Sequence, residues 1–241
     1  MMNKRKTGGE TGRSEGFEYE TEFLNLIRNN QKILFELLKL KYGNKIANKH
    51  GEIKIIKIER SKEDLLTNEM KPAAADILLY TNEYFVGIDT KKPSSTLTQW
   101  VRKRIPLFLN IANNEEKKVF NEYFNYNENK KRTYIDTLTK RKVILNYINK
   151  LKYIMVKKRW RSDEKTWCDF IAHHDKNTLK LVSVNEILEK EFTIDKINMN
   201  KSNYYFGKHI SFKPYGSSQP DMQIQVRKSI FESNYGIKIK F

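Results

Sequence analysis

The apolar positions of this chain keep one of two periods, and the switches between them mark out its elements. From Ser14 onward, Phe23, Leu26, Ile27, Ile33, Leu34, Leu37 and Leu38 hold the three-and-four spacing of a helix with one buried face, with a break at Asn29-Asn30. Glu15, Glu18 and Glu20 crowd its start, where the positive end of the helix dipole favours acidic side chains, and Ser14 is placed to open it. After the turn region from Gly43 to Gly51 the period falls to two. EIKIIKIE alternates apolar and charged residues as a half-exposed strand does, and ADILLY and YFVGID follow as strands joined by Thr81-Asn82-Glu83.

From Leu97 to Ala112 the spacing is again helical, interrupted by Pro106, and a polar stretch rich in Asn and Lys leads to a second helix near Ile135 to Lys150. LKYIMVKK, WCDFIAHH and TLKLVSV predict three successive strands of an antiparallel meander, VNEILEKEF a short helix, and HISFKPYG, DMQIQVRKS and GIKIKF further strands. The mixture predicts a mixed α/β (α+β) fold in which helices flank a central mixed sheet that carries an antiparallel region. No internal repeat and no Pro/Gly/Ser linker divides the chain. Residues 15–241 are therefore expected to form a single domain, with a core over about 15–115 and a second part over about 130–241, behind a flexible basic arm of residues 1–14.

Charge narrows the partner. Lys and Arg number 46 against 29 Asp and Glu, a net charge of +17 spread along the whole chain, which favours a polyanion. A codon bias toward Lys and Asn would raise the lysine count but would not hold the acidic residues down. With 39% hydrophobic and 12% aromatic residues the chain can pack a core. Its single cysteine, Cys168, permits neither an internal disulfide nor zinc-finger spacing, which fits an intracellular protein. The first residues lack the apolar stretch of a secretory signal, and no apolar run is long enough to span a membrane.

The segment from Pro72 to Lys91 carries the chemistry. Asp76 opens one strand, twelve residues intervene, and the next strand ends in Asp89-Thr90-Lys91. Alternation along a strand puts Asp89 and Lys91 on one face, and pairing with the preceding strand can bring Asp76 beside them. Two converging carboxylates, with the Thr90 carbonyl, make an oxygen site suited to Mg2+, and Lys91 beside it can hold an attacking water or stabilise a pentavalent phosphorane. A surface Asp followed by a solvated turn produces the same string, and the string by itself leaves both readings open.

Asp76 and the Asp89-x-Lys91 pair, on two strands with apolar neighbours, resemble the PD-(D/E)XK nuclease superfamily, although Pro72 stands four residues before Asp76 and not next to it. The resemblance implies an endonuclease-like core in which Asp76 and Asp89 are metal ligands and Lys91 is the catalytic cation, with Mg2+ as cofactor and Mn2+ as a possible substitute. Gly16-Phe17-Glu18-Tyr19-Glu20 resembles the N-terminal GF-x-x-E helix of small type II restriction endonucleases that cut short palindromic sites, which implies an auxiliary acid role for Glu20. The order of segments is similar to those enzymes over roughly residues 14 to 230, and implies a bacterial cytoplasmic enzyme, monomeric or homodimeric, acting on double-stranded DNA.

Candidate DNA contacts fall in three places. The loop Lys92, Ser94, Ser95, Thr96, Thr98 and Gln99 is rich in short donors and acceptors suited to phosphate, and Gln99 can pair with adenine; a plain helix cap is the alternative for any one of them. Arg159 and Arg161 stand in an expected turn. Lys213, Gln219, Gln223, Gln225, Arg227 and Lys228 form the third group, and Gln223, Gln225 and Arg227 share a strand face as a possible groove reader. His173-His174-Asp175 invites a metal reading, but no further ligands stand at suitable spacing, so a strand end beside a turn is the preferred account. Gly8-Gly9 lacks the Lys-Ser/Thr of a phosphate loop, so ATP is not expected. The alternatives to a restriction enzyme are a structure-selective or repair nuclease on the same scaffold, and a DNA-binding protein without catalysis.

Overall fold

The structure, a computed structural model, describes residues 8–47, 57–60, 75–92, 97–124, 138–158, 162–175, 177–193, 196–200, 203–215 and 221–241. In chain order the elements are α1 (Gly8–Asn29), α2 (Gln31–Tyr42), α3 (Asn44–Ala47), β1 (Lys57–Arg60), β2 (Ile77–Tyr80), β3 (Phe85–Thr90), β4 (Leu97–Arg104), α4 (Ile105–Phe108), α5 (Asn114–Phe124), α6 (Leu138–Lys152), β5 (Phe170–His174), β6 (Thr178–Ser183), α7 (Val184–Lys190), β7 (Ile197–Asn200), β8 (Asn203–Phe206), β9 (Ile210–Tyr215), β10 (Asp221–Arg227) and β11 (Ile237–Lys240). The fold is mixed α/β. It gathers into two compact units, Met1–Ser94 with Arg161–Val182 and Gly236–Phe241, and Ser95–Trp160 with Ser183–Tyr235. This division differs from the expected boundary near residues 115–130, because β5, β6 and β11 from the last third of the chain complete the first unit's sheet.

The first sheet has the order β1-β2-β3-β5-β6-β11. Its β1–β2, β2–β3 and β6–β11 pairs are antiparallel, and β3–β5 is parallel. Phe23, Ile27, Ile33 and Leu37 of α1 and α2 bury their helical stripes against Ile77, Ile88, Phe170 and Leu179 of the sheet, as the three-and-four spacing requires. The break between the helices falls at Asn30, as expected, but α1 begins at Gly8 and not at Ser14. The β2–β3 hairpin is tightened by Thr81, whose hydroxyl oxygen accepts the N–H groups of Glu83 and Tyr84. Gly87 is obligatory in mid-strand, since a Cβ there would stand 1.9 Å from the Trp167 carbonyl oxygen.

The second sheet is antiparallel throughout, in the order β4-β10-β9-β8-β7. Phe108, Phe120, Tyr147 and Phe212 pack edge-on or tilted over centroid distances of 5.2 to 6.4 Å, and the Tyr147 hydroxyl donates to the Phe108 carbonyl at 2.7 Å. Helix α5 opens on a reciprocal cap in which Glu116 N–H donates to the Asn113 side chain and Asn113 N–H to the Glu116 carboxylate, both at 2.8 Å.

Three expectations are corrected. Leu97 to Ala112 is not one helix: despite the helical spacing of Leu97, Trp100, Val101 and Ile105, the edge of β10 takes Leu97–Arg104 as β4 across a bulge at Trp100, leaving only Ile105–Phe108 helical with Pro106 tolerated in the first turn. LKYIMVKK is not a strand, because Ile144, Tyr147, Ile148, Leu151, Met155 and Val156 continue one buried helical stripe through a π-helical turn, Tyr153–Lys158. The antiparallel meander accordingly loses its first member, and β5 pairs in parallel with β3 instead.

Candidate active site

The hairpin register sets the site. Ile77 pairs with Ile88, so Asp76 stands opposite Asp89 at the open end of the β2–β3 pair, and Lys91 follows two residues on, on the same face. The ammonium of Lys91 is 3.4 Å from Oδ2 of Asp76 and 3.6 Å from Oδ2 of Asp89. Each carboxylate is also braced by the partner strand's backbone: Thr90 N–H donates to Asp76 Oδ2 at 3.0 Å and Asp76 N–H to Asp89 Oδ1 at 3.2 Å. Asp89 is fully buried, whereas the side chains of Lys91 and Asp76 are 12% and 27% exposed. One end of the constellation is thus fixed in the interior and the other opens to solvent. Lys92, one residue further, is exposed.

The donor set consists of hard oxygens, two carboxylates and the Thr90 carbonyl, which fits Mg2+. Among the described residues no group of three or more His, Cys, Asp or Glu gathers as a metal site, so side chains alone do not complete a coordination shell. Water and a bound phosphate are the remaining donors that such an ion accepts.

The parallel neighbour β5 brings a second group of residues to this end of the sheet. Asp89 pairs with Ile171 and Thr90 with Ala172, and Lys91 N–H extends the ladder to the Ala172 carbonyl at 2.8 Å. His173 therefore lies beside Lys91 on its face. From α1, Tyr19 covers the strand end: its ring stacks on His174 at 4.2 Å and 10°, and its hydroxyl accepts the His174 N–H at 2.7 Å and lies 2.7 Å from Nδ1 of His173. Burial pushes the Tyr19 phenol above its usual pKa, so it stays protonated, and burial pulls His174 below the usual histidine value. The expected strand-end account of His173-His174 fits this arrangement. The contact between Tyr19 and His173 is not legible in the sequence, because a pairing between strands some 80 residues apart leaves no local signal. Glu20, the next residue of α1, is half-buried.

The candidate DNA contacts divide. Ser94, Ser95, Thr96, Arg159, Arg161 and Gln219 lie outside the described residues. Thr98 and Gln99 are in β4, paired with Val226 and Gln225, and Lys213 is in β9, paired with Gln223. On β10, Gln223, Gln225 and Arg227 do share a face, but the face opens only toward its C-terminal end. Gln223 is 3% exposed, so this end of the face is covered, on a strand that has β4 on one side and β9 on the other. Gln225 is half-buried and accepts from Ser211 at 3.4 Å, while Arg227 and Lys228 are exposed, with the Arg227 guanidinium 5.5 Å from the Tyr205 ring centre.

No protein-family model matches the chain, and no curated protein matches it. Among solved structures it is similar to the restriction endonuclease MspI in complex with its cognate DNA, with a TM-score of 0.44 and 12% identity over 71% of each chain. It is also similar to the HhaI endonuclease in complex with DNA, with a TM-score of 0.28 and 13% identity over 88% of this chain and 89% of that one. At these values the likeness is loose, and the case for a function rests on the residues of the site. Among the described residues, no helix is long and apolar enough to cross a membrane.

Proposed function

We propose that the protein is a DNA endonuclease that hydrolyses phosphodiester bonds of double-stranded DNA at a short specific sequence, with Asp76, Asp89 and Lys91 as its site. One observation carries the reading: hairpin register sets two carboxylates opposite each other with Lys91 within 3.6 Å of both, at the partly open end of an otherwise buried strand pair. The net charge of +17 supplies the attraction to a polyanion.

Asp76 and Asp89, with the Thr90 carbonyl, would hold Mg2+ or Mn2+, which when bound polarises the scissile phosphate and acidifies a water. Lys91 keeps its ammonium beside both carboxylates, where it can orient the attacking water and balance the charge that grows on the phosphate oxygens. Glu20 is assigned the auxiliary acid role. Lys228 and Lys92, exposed as they are, serve as phosphate contacts, and the exposed Arg227 as a groove contact.

The test is digestion of a fully sequenced plasmid by the pure protein with Mg2+, followed by mapping of the ends. Discrete bands with one common end sequence support the reading, while random ends or an intact duplex refute site-specific cleavage. Asp89→Asn and Lys91→Ala are expected to lower the rate on the order of a thousandfold while DNA binding in Ca2+ persists. Near-normal turnover by either variant removes these residues from the site. An intact plasmid that is nonetheless bound tightly points to a junction- or mismatch-selective nuclease, and cleavage of branched or mismatched duplexes then separates that enzyme from a DNA-binding protein without catalysis.

A further inference from the structure

We infer that Tyr19 and His173 form a positioning pair that holds the Glu20 turn of α1 against the Lys91 end of β3, an inference that rests on the nuclease reading above. The Tyr19 hydroxyl takes the last N–H of β5, from His174, at 2.7 Å and lies 2.7 Å from Nδ1 of His173, in the interior of the protein. The ladder runs from the same strand end directly to the site, through the Lys91 N–H bonded to Ala172, which places the 4%-exposed His173 next to Lys91. Tyr19 and Glu20 are consecutive, and both lie within the inward arc of α1 that Phe23 and Ile27 define. Burial keeps the phenol protonated. A helix that carries an auxiliary carboxylate needs its rotation fixed relative to the strand that carries the lysine, because an error of about 1 Å in placing a reacting group lowers a rate on the order of a hundredfold. A tyrosine ring stacked on His174 fixes the distance between helix and strand, and the directional hydroxyl fixes the rotation.

Tyr19→Phe keeps the stacking ring and removes only the hydroxyl. It is expected to speed hydrogen exchange of the His174 amide by about tenfold or more, since that amide loses its acceptor. It is also expected to slow single-turnover cleavage on the order of tenfold with DNA affinity in Ca2+ unchanged. Because Tyr19 acts through Glu20, Tyr19→Phe should cost little further in a Glu20→Gln background, a non-additivity that a merely stabilising contact does not produce. His173→Asn, whose amide can stand where Nδ1 stood, should retain cleavage that His173→Leu loses. Unchanged His174 exchange in Tyr19→Phe, or an equal loss of rate in both backgrounds, overturns the role of the pair. A wild-type protein that cuts no DNA overturns the nuclease reading and this role with it, whereas a cutting wild type with additive variants overturns the role alone.

Discussion

Replacing Lys91 with Met tests the charge balance of the site without any assay of cleavage. The ammonium is 3.4 and 3.6 Å from two carboxylates, one fully buried and one 27% exposed. Removing one partner of a buried ion pair costs about 3–5 kcal/mol, because the remaining charge stays desolvated. The partial exposure of Asp76 lets water recover part of that, so about 2–4 kcal/mol is expected here. For a chain of this length each kcal/mol lowers the thermal midpoint by about 2–4 °C, which places the loss on the order of 10 °C in chelator. A divalent cation at about a hundred times its dissociation constant returns about 2.7 kcal/mol. Lys91→Met should therefore recover most of its midpoint in millimolar Ca2+ or Mg2+ and gain more from the ion than wild type does. Adding Asp89→Asn to Lys91→Met should raise the midpoint in chelator, since it removes one of the two facing charges. Scanning calorimetry with and without the ion measures all of these. A Lys91→Met protein as stable as wild type in chelator, or one indifferent to divalent ions, would refute the coupling of the three groups.

Two further outcomes are expected. Gly87→Ala drives a Cβ to 1.9 Å from the Trp167 carbonyl oxygen and 3.1 Å from the Ala75 Cβ; backbone cannot swing aside, so a loss of about 3 kcal/mol or more should appear in urea unfolding, and an unchanged midpoint would show the approach to be wrong. Burial holds His174 and His209 below the usual value of 6.5, so the unfolded chain takes up protons first, and stability should fall as pH drops through about 6.5 toward their folded values. Urea midpoints across that window check this, and a flatter slope is expected once both histidines are changed to Asn.

Elements whose own residues bury them were legible in the sequence. The α1–α2 stripe, the β2–β3 hairpin and α7 follow from periodicity, as does the position of Asp76, Asp89 and Lys91 on one face. LKYIMVKK failed locally, since it prolongs the buried stripe of α6, and the other failures were decided by a distant partner. The run around Trp100 keeps helical spacing, and only pairing with β10 makes it a strand, with the register stepping over Trp100 between Ile224–Val101 and Gln225–Gln99. The strand face of Gln223, Gln225 and Arg227 was readable, but which end of it is covered depends on the neighbours of β10. The Tyr19–His173 contact spans 154 positions and passes through a parallel register that no local pattern encodes.

Strand β3 carries lysine–aspartate contacts at both ends, and their difference separates architecture from chemistry. At the first end Lys41 lies 2.8 Å from Asp169, donates to the Phe85 carbonyl at 2.8 Å and covers the Phe85 ring at 3.8 Å. Asp169 in turn accepts Gly87 N–H at 2.9 Å. The Lys41–Asp169 contact at 2.8 Å fixes α2 and the segment before β5 onto the strand. At the other end the Lys91 ammonium lies at longer range, 3.4 and 3.6 Å, from two carboxylates. If the protein is the nuclease proposed above, a metal ion and a phosphate would reach these carboxylates from the Asp76 side, the more exposed of the two.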